Sequence, residues 1–505
     1  MTTTASVAPG SLKERFLNHL FAYDAFQATR PIDRITLVAI LYLALPNLIF
    51  FFGWFRLPFA LALAGLTVTS LIQAFPRHSL SKPISGAFNP GALMLLALVA
   101  LIWCGFGGAG HFSYANLDWT IRDAVYGDLF QTDWPLGYGE TDGSPRILRS
   151  AFGFFLPAAL ATKLLGAQYA DYLLYGWTAL GVFLSLTLLP LPARLGPRLV
   201  LCLGIVVFFS GMDLLGILVV TGLWPAFPLR LEWWVEFSYS SLAGQLFWGP
   251  NHALPLWIGM ALFLRHWETP DFAKLAITYV PMTLIWTPFA IVGLAPFLAL
   301  FALRWLRTPT AFPGIVQWVY ALTIGILISV FLTLHISDIP AKTTLAQSGG
   351  NEFSWSHYAV FVITEFLALA LLLAKQVKQP GGVFYISVAV LLSLPFVWFG
   401  PSNDLMLRAS TPPLVALLAL TLAQFSRAGA GRSNWLLVCI LIIGANTPFN
   451  EIWRAATLTA KPADYRKNLL EASNGATQPH YIGKLDLPWL AGMLKPITPV
   501  RYHRQ

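Results

Sequence analysis

Apolar residues fall into runs near twenty long, separated by short polar links, over most of the 505 residues. A helix that crosses a bilayer needs roughly twenty such residues. The two-residue alternation of a membrane barrel is missing. The pattern predicts about thirteen transmembrane helices, at 35–53, 58–75, 90–107, 169–191, 199–221, 245–264, 275–287, 289–304, 314–335, 356–375, 381–399, 412–426 and 433–447. The pair 275–304 is broken by Trp286-Thr287-Pro288 and also reads as a hairpin that does not cross fully. The run 151–165 is too short to span and predicts an interfacial or half-buried helix. No internal repeat is visible, which weighs against the many transporters built from paired halves.

The links sort into two kinds. One set is short and basic: Lys13, Arg15, Arg30 and Arg34; Arg77 and Lys82; Arg194 and Arg198; Arg265 and Lys274; Arg304 and Arg307; Lys375 and Lys378; Arg427 and Arg432. The positive-inside rule makes this set cytoplasmic. The longer connections, 108–150, 222–244, 335–355 and 400–411, then lie outside, with an N-terminus inside and a C-terminus outside. The expected organisation is a transmembrane body over 1–447, with 108–150 as its first external loop, and a short external tail over 448–505 that caps the outer face.

Composition agrees with an all-α polytopic membrane protein. Hydrophobic residues make up 56% and charged residues 11% of the chain, with mean hydropathy +0.64; soluble chains carry roughly 25% charged residues. The net charge of +9 sits in the links, so it reports topology and not a nucleic-acid surface. Cys104, Cys202 and Cys439 are far apart within apolar runs and read as small buried hydrophobes. The first 34 residues are polar, so the first span is expected to act as an uncleaved targeting signal.

Candidate chemistry gathers in the first external loop. Six of the 23 acidic residues fall there: Asp118, Asp123, Asp128, Asp133, Glu140 and Asp142. Asp118 and Arg122 are four apart and would share a helix face. The steps from Asp118 to Asp123, Asp128 and Asp133 turn about 140° each on a helix of 3.6 residues per turn, so these acids cannot share one face. Asp118 is the expected catalytic carboxylate, with Arg122 and Asp123 beside the substrate. The alternative is a solvated helix on the membrane interface, with Trp119, Tyr126 and Trp134 as belt aromatics.

Asp213 lies inside an apolar span, where an ionisable group is costly and marks a functional site, or pairs with a neighbouring helix. Glu365 is the other main acid at membrane depth. Asn251 and His252 follow Gly249-Pro250 at the start of a span, and the prolines there suit the lining of a polar cavity; a satisfied core histidine is the plain alternative. Asn403, Asp404 and Arg408 form a late external loop ahead of Pro412. A guanidinium beside a helix N-terminus is a phosphate site, unless Arg408 simply pairs with Asp404.

These features resemble the GT-C class of integral-membrane glycosyltransferases. The likeness rests on the multi-span body, on Asn116-Leu117-Asp118-Trp119 in the first loop, and on Asn403-Asp404 with Arg408, which is similar to a motif of bacterial members of unassigned specificity. The resemblance implies a GT-C-like fold with an interfacial helix in that loop, and a bacterial inner-membrane location. It implies transfer of a sugar from a polyprenyl-phosphate donor to a saccharide, lipid or protein hydroxyl on the periplasmic side, in the cell envelope. Asp118 would be general base, and Arg408 or Arg122 would meet the lipid phosphate. The first loop lacks a tight Asp-x-Asp or Glu-x-Asp, so no metal ligands are carried over; a divalent metal cofactor has no clear motif behind it. The rival readings are a multi-span transporter or lipid flippase, an acyltransferase or polymer ligase built around His252, and a non-catalytic assembly subunit.

Overall fold

The computed structural model describes residues 32–75, 88–336, 353–376, 381–400, 402–426, 435–474 and 480–501, and the backbone of 341–343. It is 68% helix. Among the described residues, eight helices are long and apolar enough to cross a membrane: Arg34–Trp54, Leu57–Ala74, Ala167–Leu188, Phe289–Arg307, Ile315–Leu332, Trp355–Gln376, Asp404–Ser426 and Trp435–Thr457. We read the chain as a multi-pass membrane protein. Several expected spans are shorter. The span expected at 199–221 is two helices, Pro197–Val207 and Asp213–Thr221, with residues 208–212 non-helical between them. The span expected at 245–264 starts as a seven-residue helix, α2 (Leu242–Trp248), and restarts at Pro250 as α3 (Pro250–His266). Proline suits that first helical position, where an amide hydrogen would have no partner.

Two opposite faces can be told apart by their polar contacts. On one, Arg265 pairs with Asp33 at 2.5 Å, His266 meets Thr36 at 2.8 Å, Arg304 reaches Glu268 at 3.0 Å and Lys274 reaches Asp271 at 3.2 Å. This basic face gathers the start of the first span and the links near 265–274 and 304. The expected basic positions Lys13, Arg15, Arg30, Arg77, Lys82, Lys378, Arg427 and Arg432 lie outside the described residues.

The other face is roofed by the first loop and the tail together. Strand β1 (Leu136–Thr141) turns back into β2 (Ser144–Leu148) through Asp142-Gly143, both at positive φ, 49° and 72°. Asp-Gly is the dipeptide that a two-residue hairpin turn selects, because both central residues must adopt left-handed backbone. The tail adds β3 (Ile482–Lys484) antiparallel to β2 and β4 (Thr498–Pro499) parallel to β1, in the order β3-β2-β1-β4. An all-α chain would have no such sheet; the helical class describes the body and this small sheet is confined to its roof.

Helix α1 (Asp118–Gln131) lies beneath that roof, and ten of its fourteen residues are buried. The tail covers it. Tyr465 packs its ring 5.6 Å from Tyr126 and 5.2 Å from Phe130, and its carbonyl accepts from Gln131 at 2.6 Å. Trp134 stacks on Trp54 at 5.3 Å. The solvated interfacial helix is therefore corrected: this helix is enclosed by protein because residues more than 330 positions downstream fold over it.

Asp128 fixes tail to loop, accepting from Tyr138 Oη at 2.7 Å and from the Leu469 amide at 3.0 Å. Burial outweighs those two donors and raises its pKa from 3.8 to about 7. The folded state thus binds a proton that the unfolded chain has lost between about pH 4 and 7, so stability falls as pH rises through that window. In detergent, the thermal midpoint of the wild type should drop between pH 5.5 and 8. Asp128→Asn should flatten that pH dependence. A profile unchanged by the substitution would show that this carboxyl group does not carry it.

Candidate functional site

The site begins where α2 ends. The last carbonyls of a helix have no partner within it and carry partial negative charge. Here the first loop satisfies them. Asn116 Nδ2 donates to the Phe247 carbonyl at 2.7 Å, Trp119 Nε1 donates to the same oxygen at 3.1 Å, and Arg122 Nη2 donates to the Trp248 carbonyl. Asn116 also accepts from the Asp118 amide at 3.0 Å through Oδ1, which sets the start of α1. Arg122 completes the arrangement with a 3.2 Å bond to Asp118 one turn back. Its own side chain is 7% exposed and that of Asp118 is 47% exposed, so the carboxylate is reachable and the guanidinium is walled in.

Arg408 arrives from the far end of the chain. It stands in the short helix α4 (Asp404–Ala409), whose N-cap, Asn403, sits in left-handed backbone at φ 49° and caps Met406. Arg408 lies 3.8 Å from Asp404. Its guanidinium rests on the backbone of Gly249, where any side chain would begin 3.0 Å from Nη1 and 3.3 Å from Cζ. It feels the charges of Arg122, Asp118 and Arg230 as well as that of Asp404. His252, one turn into α3, bonds Thr287 at 2.8 Å through Nδ1 and lies in the field of both Arg408 and Arg122.

The two arginines thus lie within each other's field, with Asp118 and Asp404 as the carboxylates that oppose them. Both keep a buried nitrogen without a hydrogen-bond partner: Nη1 of Arg122 and Nε of Arg408. A buried donor left unpaired costs about 1–3 kcal/mol, and more when charged. Like charges at short range add to that cost. An anion seated between them would remove both penalties.

Trp248 forms the next layer. Arg230 lies 4.0 Å above its ring and Arg454 5.6 Å from it, both in cation–π reach. Its Nε1 donates to Glu451 at 2.8 Å. Arg230 pairs with Glu232 at 3.0 Å and Arg454 with Glu451 at 2.8 Å. The tail contributes His480 and Tyr481, whose rings are 4.4 Å apart. Both feel Asp118 and Asp404. Burial lowers the pKa of His480 below the usual 6.5 and raises that of the Tyr481 phenol.

Asp118, Arg122, His252, Asp404 and Arg408 therefore come together from three segments. Asn251 is buried beside His252 with Oδ1 unpartnered, and Asn403 serves as a helix cap. Asp123 belongs elsewhere. It points from the other side of α1 to His111 Nε2 at 3.0 Å, while His111 Nδ1 meets the Lys461 carbonyl at 2.9 Å. That pair borders a cavity of about 190 Å³ lined also by Tyr114, Thr120, Lys461 and Lys467. Burial opposes the charge on His111, but its bond to Asp123 wins and raises its pKa; burial also raises that of Asp123. Asp213 is likewise separate, bonded to Trp234 at 3.0 Å and Thr447 at 2.7 Å.

Sequence reasoning missed Arg230, Glu232, Glu451, Arg454, His480 and Tyr481. The three-residue spacing of Glu451 and Arg454 was an available signal, since it places both on one helix face. The two carboxylates nearest the arginines, Asp118 and Asp404, each have an arginine partner. Among the described residues no three His, Cys, Asp or Glu side chains gather to hold a metal. With each carboxylate paired to an arginine, this donor set does not fit a divalent cation. No protein-family model matches the chain, and no curated protein or solved structure resembles it closely enough to count as a match.

Proposed function

We propose that this chain is a membrane glycosyltransferase that moves one sugar from a polyprenyl-phosphate donor to an acceptor hydroxyl at the roofed face. The observation that carries the reading is the Arg122–Arg408 pair: two buried guanidinium groups, each with an unused donor, beside a half-exposed carboxylate. A phosphate is the anion whose geometry suits two converging guanidinium forks. The prenyl chain would lie against the apolar flanks of the spans, and the roofed face would be the periplasmic side of a bacterial inner membrane.

In this mechanism Asp118 takes the proton from the acceptor hydroxyl as its oxygen attacks the anomeric carbon. The bond from that carbon to the phosphate oxygen breaks, and the electron pair leaves with the phosphate. Arg122 and Arg408 meet the charge that grows there, which is where fixed cations lower a barrier most effectively. A phosphate leaving group needs no general acid. Asp404 holds Arg408 in place, and Asn116 orients the turn that presents Asp118. Asn251, His252, His480 and Tyr481 would line the sugar. Asp123, on the opposite side of α1, takes no part. A transporter or flippase remains the second reading because Asp213 and Glu365 are buried at membrane depth, but neither faces this arginine pair.

Asp118→Asn should assemble normally and lose transfer from a polyprenyl-phosphate hexose or pentose by roughly 10²–10⁴-fold, the usual contribution of a general base. Radiolabelled sugar counted in the acceptor fraction is the readout. Transfer at the wild-type rate would remove Asp118 as base, and donor-independent movement of sugar across vesicles would favour transport.

Arg408→Lys keeps a charge but loses the fork. It should slow transfer by about tenfold or more, since a positioned bidentate contact is worth over 1.4 kcal/mol, or one decade. Arg408→Ala should be slower still. Equal rates for the wild type and both variants would mean that Arg408 does not meet the phosphate.

A further inference from the structure

A second polar centre lies apart from the arginines, between Asp213–Thr221 and the span Trp355–Gln376. Asp213 and Glu365 are 2% and 4% exposed and stand side by side. No described Lys, Arg or His pairs with either, and Glu232, itself paired with Arg230, adds a third carboxylate to their field. Asp213 is well supplied with donors: Trp234 Nε1 at 3.0 Å, Thr447 Oγ1 at 2.7 Å and Ser210 Oγ at 3.4 Å. Glu365 is not; both of its oxygens are buried without a hydrogen-bond partner, with Trp234 the neighbouring donor already engaged by Asp213.

The backbone is interrupted at the same place from both sides. Residues 208–212 break the helix before Asp213, and Ile363–Leu367, with Glu365 at its centre, is a π-helical turn. Such turns release carbonyls from the regular ladder and recur at functional sites. Gly211 leaves room for the Glu365 carboxyl, which occupies the space where a side chain would begin. Gly444 similarly lies close against the Ser210 and Gly211 carbonyls, at 2.6 and 3.1 Å from where its own would begin. Glu365 also borders a small cavity of about 10 Å³, shared with Ser210, Tyr239, Ser240 and Gln245.

Two ionised carboxylates cannot stand together at membrane depth without a positive charge. We propose that Asp213 and Glu365 form a binding site for a small monovalent cation of the size of Na⁺, exchanging with a single proton. In the cation-free state the proton stays on Glu365, neutralising the carboxyl that lacks donors. When the cation enters, that proton leaves, and the cation sits between the two carboxylates with oxygens of Ser210 and the broken helix in reach. This inference does not depend on the reading of the Arg122–Arg408 site.

The test uses the full-length protein purified in detergent. Retention of ²²Na⁺ should be saturable at pH 8 and fall as pH drops to 6. Its thermal midpoint should be higher in NaCl than in choline chloride at equal ionic strength. Glu365→Gln and Asp213→Asn should each abolish both effects, while Arg408→Ala keeps them. No saturable ²²Na⁺ retention by the wild type overturns the site, whatever the variants do. So does retention that persists in a folded Glu365→Gln protein, judged by a monodisperse elution profile, and so does stabilisation by acid alone with no response to Na⁺.

Discussion

The capture of the α2 C-terminus by the first loop is the interaction on which the roofed face depends. The free carbonyls of Phe247 and Trp248 lie within the fold, far from bulk water. A neutral amide, an indole and a guanidinium from one seven-residue stretch satisfy them. Arg122 does two things at once, since its charge also complements the negative end of the helix. Removing the interaction would strand two carbonyls, and it would also release the turn that holds Asp118 at the start of α1. The break at Gly249-Pro250 follows from the same economy. It ends α2 early enough to offer its carbonyls and leaves a backbone patch bare enough for Arg408 to rest on.

The roof is held by contacts of a different kind. The hairpin in the first loop is local and closes itself through Asp142-Gly143, whereas β3 and β4 must come from more than 330 residues away. Bringing distant segments together costs chain entropy that local turns do not incur. Asp128, the Tyr465 ring and the sheet register supply what offsets it. Once in place, the tail encloses α1 and brings His480 and Tyr481 within the field of the acids at the site. The tail is therefore part of the site's wall and not a detached appendage.

Much of the helical body was legible because a bilayer imposes continuous apolar runs and penalises charge inside them. Asp118 with Arg122 was legible too, since four-residue spacing is a local rule. Arg408 stood out as the basic residue of an otherwise uncharged-to-acidic loop. What stayed hidden depends on long-range contact. The Asp142-Gly143 turn was present, but the partner strands of its hairpin lie in the tail, where nothing local announces them. The solvated reading of α1 failed for that same reason. The break at 208–212 was masked by hydropathy, which does not distinguish a helix from an interrupted one. Glu451 and Arg454 fell just beyond the expected end of the last span, where the boundary hid their shared face.

The five-residue spacing of the loop acids explains why α1 can serve two environments. Each step turns the helix by about 140°, so Asp118 and Arg122 face the arginine site while Asp123 is carried round to His111. His111 meets acceptors at both ring nitrogens, Asp123 and the Lys461 carbonyl. Two acceptors around one ring favour the protonated imidazole, and the bond to Asp123 raises the His111 pKa accordingly. This pair consequently ties the loop to the tail on the side of α1 away from Arg122. The helix separates the carboxylate paired with His111 from the one paired with Arg122 by rotation alone.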